Sequence, residues 1–304
     1  MTKRNLCFVF ATLIAVVLYW TPLKTLATFS FGSDIYSYAT VIPLFSAFLI
    51  YLEKERIFSR VRYDLGIGLI ILFLALIIRS YYQWHSAARS SNDSLSLVIL
   101  SFVVLWIGVF VLCYGTETLR AAAFPLSLLL LMVPLPQAFL ERSIFVLRGC
   151  SAQAAAFLLR LGGVPVFQNG FRLSLPGTDV EVAEQCSGIR SCLALFITSL
   201  LMGYLFLRSP WRRLWLVLAI FPVTILKNGL RIVTIYGLTI HPGLGALTLW
   251  MHRYGGIPFS FLGLSLLAFF VASLHRFEET STGSRWIITG GNEFEKERQI
   301  RLSN

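Results

Sequence analysis

A chain of 304 residues that is 56% hydrophobic and 13% charged, with a mean hydropathy of +0.73, has lipid as its preferred solvent, which excludes the ordinary water-soluble classes. Its formal net charge of +11 would suit a nucleic-acid binder, but the basic residues fall on alternate loops and no nucleic-acid module is recognisable. Five scattered cysteines form no CxxC, and there is no HExxH and no phosphate loop, so neither a cofactor nor a metal is expected.

Apolar runs follow one another at 6–20, 35–52, 65–78, 95–114, 118–135, 188–207, 214–230 and 255–274. Several approach the ~20 residues needed to cross the hydrocarbon core. The first follows Lys3 and Arg4 without a small-residue cleavage site before Pro22, so it is expected to be a retained span and not a signal peptide. Basic residues gather at Lys3 and Arg4, at Lys54, Arg56, Arg60 and Arg62, at Arg120, and at Arg208, Arg212 and Arg213. With these regions inside, the reading is an all-α polytopic protein of a cell inner or plasma membrane, with about eight transmembrane helices and both termini cytoplasmic. Residues 1–275 then form one transmembrane domain, and 276–304, of mixed charge, form a short flexible tail.

Residues 143–161 are apolar enough to suggest a further span. Crossing there would bury Arg148 in hydrocarbon and move Arg208, Arg212 and Arg213 to the outer side. An alanine-rich helix lying in the outer interface is expected instead, entered through the turn at Val133-Pro134-Leu135-Pro136. Residues 170–184 then read as an extracytoplasmic β-hairpin. Phe171, Leu173 and Leu175 alternate with Arg172 and Ser174, Pro176-Gly177 supplies the turn, and Val180 and Val182 alternate with Asp179 and Glu181.

The hairpin leads into Glu184-Gln185-Cys186-Ser187-Gly188-Ile189-Arg190-Ser191, which sets a cysteine at the mouth of an apolar helix. The unpartnered N–H groups and positive dipole end of such a helix favour a thiolate, and Arg190 adds a positive charge. Two further polar sites reach the same membrane face. In Lys227-Asn228-Gly229-Leu230-Arg231, a rise of ~1.5 Å per residue from the turn near Arg213 carries Arg231 to the outer interface, with Asn228 on the same helical side. In Trp250-Met251-His252-Arg253-Tyr254, His252 stands at the outer end of the last span; His241 is its competitor, in a His241-Pro242-Gly243 sequence that reads as a turn. Together these residues suit acyl transfer, with Cys186 as nucleophile, His252 as base and acid, and Arg231 as charge stabiliser.

On these residues the chain resembles the exosortase/archaeosortase family of membrane-embedded sorting transpeptidases. The resemblance rests on Cys186-Ser187-Gly188-Ile189-Arg190-Ser191, Asn228-Gly229-Leu230-Arg231-Ile232, His252 before Gly255-Gly256 and Phe259, and the Pro134-Leu135-Pro136 turn. It implies a cysteine peptidase that cleaves secreted proteins near a C-terminal signal such as Pro-Glu-Pro, followed by a transmembrane helix and a basic tail. The new carboxyl end would pass through a thioester to a lipid or glycan acceptor at the cell surface. Arg190, Arg172, Lys227 and Asn228 are the candidate substrate-binding residues; the first three carry charge suited to an acidic signal residue. The competing classes are a transporter and a non-catalytic factor in surface-polysaccharide assembly. Against a transporter, the candidate polar groups cluster at one rim and no internal repeat relates the two halves.

Overall fold

The structure is a computed structural model that describes residues 3–32, 35–59, 61–85, 90–184, 187–241 and 243–278, with the backbone alone of His85, His252 and Arg253. The expected tail beyond Glu278 therefore lies outside the described residues. Among the described residues, six helices are long and apolar enough to cross a membrane, or seven if a pair bent by 73° counts as one span. Large apolar side chains such as Phe10, Phe73, Phe261 and Phe269 lie exposed along them, as a lipid-facing surface requires. The chain divides into two compact units, Met1–Arg142 and Ser143–Asn304.

In the first unit, α1 (Lys3–Leu18) and α2 (Trp20–Gly32) form the bent pair. They are followed by α3 (Ile42–Leu52), α4 (Lys54–Ile57), α5 (Leu65–His85), α6 (Ser91–Ala121) and α7 (Ala123–Leu128), which runs into a 3-10 turn at Leu129–Met132. Helices α5 and α6 pack closely because glycines face large side chains: a Cβ on Gly108 would stand 2.9 Å from Leu72 Cδ2. Helix α6 is kinked at Gly115, whose φ of +85° admits no other residue without strain, and the Arg62 carbonyl fills the space a Cβ would need. The Thr116 hydroxyl donates to Asp64 (2.9 Å), fastening the loop ahead of α5 to this kink.

The expected spans at 35–52 and 118–135 are the main departures from the sequence reading. Each contains only a short helix, Ile42–Leu52 and Ala123–Met132, which pack together and share a bond from Ser46 Oγ to the Pro125 carbonyl (2.7 Å). The break at Ala122 and the prolines beyond Val133 divide the second run into pieces. The Pro134-Leu135-Pro136 turn is present. Asn92 Nδ2 donates to the Leu135 carbonyl (2.7 Å), and Asp93 Oδ1 accepts the Gln137 N–H (2.7 Å) that opens α8 (Gln137–Leu161). By length and composition α8 is itself a candidate span and not only an interfacial helix.

The second unit contains most of α8, three strands and five further helices. Strands β1 (Phe167–Asn169), β2 (Arg172–Leu175) and β3 (Thr178–Glu181) form an antiparallel sheet in that order. The expected hairpin is β2–β3, with Leu173 opposite Val180, and β1 adds a strand to its edge. Then follow α9 (Ile189–Phe206), α10 (Pro210–Leu218), α11 (Ile220–Thr239), α12 (Gly245–Tyr254) and α13 (Gly256–Glu278). The alanines of α8 serve packing: Ala152, Ala155, Ala156 and Leu159 bury against Leu173, Leu175 and Val182 of the sheet region and Ile232 and Tyr236 of α11. Gly229 makes the approach close, since a Cβ there would meet Ala154 Cβ at 3.0 Å. At the other end of the unit, the Glu278 carboxylate accepts the N–H groups of Arg208 (3.0 Å) and Ser209 (2.8 Å), tying α13 to the α9–α10 turn.

Replacing Gly115 by alanine is expected to destabilise the protein by about 1–3 kcal/mol, because the substitution adds left-handed strain and a clash with the Arg62 carbonyl. Thermal unfolding in detergent measures this; an unchanged midpoint would show that the kink is not required.

Candidate active site

Local structure brings the end of the hairpin to the start of α9. The Ser187 N–H donates to the Glu184 carbonyl (3.0 Å), which holds together the chain on either side of Gln185 and Cys186. Those two residues lie outside the described residues. Ser187 is fully buried, and its hydroxyl accepts the Ile189 N–H (3.4 Å) at the first turn of α9. Gly188 caps the helix at φ +81°, and a Cβ on it would stand 3.4 Å from Asn228 Cγ and 3.5 Å from Thr224 Cγ2. The cysteine motif thus closes against α11.

Thr224, Lys227, Asn228 and Arg231 recur at helical spacing on one side of α11. Asn228 is buried, and its Nδ2 donates to Ser151 Oγ on α8 (2.9 Å), so one amide joins α8, α11 and the residue that caps α9. Lys227 is 4% exposed, and a Cβ on Gly263 of α13 would meet its Cδ at 3.2 Å and Leu195 Cδ1 of α9 at the same distance. Helices α9, α11 and α13 are therefore neighbours, as a shared site on the last three spans requires. The Arg231 Nε is buried and has no hydrogen-bond partner among the described residues. Among the described residues, neither Lys227 nor Arg231 pairs with a carboxylate. Two cations four residues apart on one helix repel each other, and buried charge without a partner is costly. Such a site favours an arriving anion, whether thiolate, oxyanion or carboxylate.

The remaining candidates are spread more widely. Arg190 is exposed in the first turn of α9, where the helix dipole disfavours a cation. Arg172 donates to Asp179 across the hairpin (2.7 Å), a hydrogen bond that holds the Asp179 carboxyl below its ordinary range. The His252 backbone belongs to α12, which packs on α11; its side chain lies outside the described residues. His241 Nδ1 is 2.6 Å from the carbonyl of Gly237, so this ring is engaged at the end of its own helix. The sequence reading attaches no site role to Ser151, Thr224 or Arg148. Ser151 and Thr224 look like ordinary small residues of apolar helices, whereas Arg148, a charge inside an alanine-rich helix, was the available signal. No cluster of His, Cys, Asp and Glu among the described residues has the arrangement of a metal site.

One family model matches, described as Transmembrane exosortase (Exosortase_EpsH), over residues 20–271. Searches of the curated proteins and of the solved structures return no match.

Two variants probe this geometry. Gly188→Ala places a side chain in a left-handed conformation and is expected to cost about 1–2 kcal/mol, read as a lower unfolding midpoint. Lys227→Met removes a buried unpaired charge at similar volume and is expected to stabilise the protein by about 1 kcal/mol or more. A fall in the midpoint for Lys227→Met would mean that the ammonium is compensated.

Proposed function

Because the chain belongs to the transmembrane exosortase family, we propose that it is a cysteine-dependent sorting transpeptidase acting at the extracytoplasmic face of a cell inner or plasma membrane. Its substrates are secreted proteins that end in a short signal of the Pro-Glu-Pro kind, a transmembrane helix and a basic tail. Such a substrate is anchored by its own helix and presents the signal at the outer interface. Both termini of the enzyme lie in the cytoplasm, by the distribution of Lys and Arg.

In this reaction the Cys186 thiolate attacks the scissile carbonyl, and the carbonyl π electrons move onto oxygen, where Arg231 holds the negative charge. His252 donates a proton to the leaving amine as the C–N bond breaks, which leaves a thioester. The acceptor hydroxyl or amine, belonging to a lipid or glycan, loses its proton to His252 and attacks the thioester, regenerating the thiolate. Lys227 and Asn228 line the inner wall of the site, and Arg190 and Arg172 receive an acidic residue of the signal at its rim. Arg172 would do so by exchanging its Asp179 partner.

The observation that carries this reading is the seating of Gly188 against Asn228, with the unpartnered Arg231 Nε three residues further along the same helix. The chain flanking the cysteine and the free guanidinium N–H then belong to one locality. The engagement of His241 with the Gly237 carbonyl favours His252 as the proton carrier.

The test is an in-cell processing assay in which a secreted reporter carrying a sorting tail is co-expressed with the wild type, Cys186→Ser or Arg231→Gln, and reporter mass is followed. Cys186→Ser at normal membrane abundance is expected to abolish cleavage, and Arg231→Gln to slow it by about 100-fold to 1,000-fold. The mass of the new terminus separates transfer from hydrolysis. Retained cleavage in Cys186→Ser would sink the mechanism, and no cleavage of any matched tail would favour a transporter or a polysaccharide-assembly factor.

A further inference from the structure

From the contacts of α8 we infer that Arg148 is the positioning residue of the active site, the group that fixes where the chain enters the cysteine motif. This inference rests on the assignment of Cys186 as the nucleophile. Arg148 lies in the middle of α8, with the nearest other charges of the helix at Arg142 and Arg160, and its side chain is only 13% exposed. Each partner it has in the structure belongs to the hairpin or to the chain leaving it. Its Nε donates to the Val182 carbonyl (2.6 Å), Nη2 reaches the Glu181 carboxylate (3.5 Å), and Nη1 lies 3.9 Å from the Glu184 carboxylate. The guanidinium also lies 4.0 Å from the centre of the Phe171 ring.

The same face of α8 controls the far side of the motif. Ser151 stands three residues after Arg148, so the two side chains are helical neighbours. Ser151 accepts from Asn228, and Asn228 abuts Gly188. One helix face thus holds Glu184 ahead of the motif and, through Asn228, Gly188 behind it. The bond from the Ser187 N–H to the Glu184 carbonyl joins the two anchored ends. A planar guanidinium suits this task because its N–H groups fan out in fixed directions, so a main-chain carbonyl and two carboxylates can be held at once. The pattern of contacts also explains why a costly charge sits in α8: Glu181 and Glu184 supply opposite charge and Val182 a hydrogen-bond acceptor.

The experiment uses the full chain in membranes and measures two quantities for the wild type, Arg148→Gln and Arg148→Lys. The first is processing of the sorting reporter, resolved into kcat and KM. The second is the rate of Cys186 alkylation by iodoacetamide across a pH series, resolved by peptide mass spectrometry. Arg148→Gln is expected to lower kcat about tenfold or more with KM little changed, because a displaced nucleophile loses rate before it loses binding. The pH profile of Cys186 alkylation should shift at the same time. Arg148→Lys should recover only part of either quantity, since an ammonium keeps the charge and loses the fork.

A residue needed only for folding would change abundance and unfolding midpoint and leave the alkylation profile of the folded protein where it was. Wild-type kcat and alkylation in a folded Arg148→Gln protein would overturn the inference. Should Arg148→Gln fail to accumulate, the double variant Glu181→Gln/Glu184→Gln decides, because both glutamates are exposed and their loss spares the core. There, an unchanged kcat and alkylation profile overturns the inference and a reduced kcat with a shifted profile supports it. The alkylation measurement needs no turnover, so it judges Arg148 even if processing in Cys186→Ser refutes the nucleophile assignment.

Discussion

The close approach of α8 to α11 is the constraint from which the rest of the second unit follows. Gly229 against Ala154 and Ala155 brings the two helices near enough for Asn228 to reach Ser151. In lipid there is little hydrophobic drive between helices, so such contacts of small residues and the hydrogen bonds they permit carry the association. With α8 in place, its alanine face receives Leu173, Leu175 and Val182, and the sheet has a floor. The hairpin then ends beside α11, where Gly188 settles on Asn228. A bulkier residue at position 229 would act on the sheet, the loop and α9 in turn.

The electrostatics run the opposite way from a stability-optimised core. Arg148 is surrounded by compensation, whereas Lys227 and Arg231 have none among the described residues. A carboxylate beside Arg231 would make the helix more stable, and under the proposed reaction it would occupy the position that the anion needs. Sites that must receive charge are kept short of it, and the scaffold bears the cost. The bond from the Ser187 N–H to the Glu184 carbonyl and the packed helices behind it are what a site of fixed geometry requires of its surroundings.

Much of this was legible in the sequence, and the failures have physical causes. Long apolar runs located α5, α6, α9, α11 and α13, because hydrocarbon thickness imposes a length that composition reveals. Alternation around Pro176-Gly177 located the hairpin and its turn, and the structure adds the register. The run at 118–135 misled because hydropathy does not register a break at Ala122, and the run at 35–52 because it does not show that only Ile42–Leu52 of it is helical. The alanines of α8 were ambiguous for a related reason: small residues suit an interfacial helix and a tightly packed one equally well, and only the partner distinguishes them. At the site, the motif residues of α9 and α11 stood out as polar groups in apolar surroundings. Ser151 did not, since a serine in a helix carries no mark of the amide it will meet across the bundle.

The anchoring of α13 follows a different rule from the active site. Glu278 grips the α9–α10 turn through the main-chain N–H groups of Arg208 and Ser209, and Arg212 of α10 donates to the Leu274 (3.0 Å) and Phe277 (3.3 Å) carbonyls of α13. The two bonds to Glu278 themselves require only that neither residue 208 nor 209 is proline, which has no N–H to offer. The need for particular side chains falls on Glu278 and on Arg212. A lysine at position 212 would keep the positive charge of this turn and give up the fork that reaches two carbonyls, so the fastening of α13 asks more of that residue than its charge.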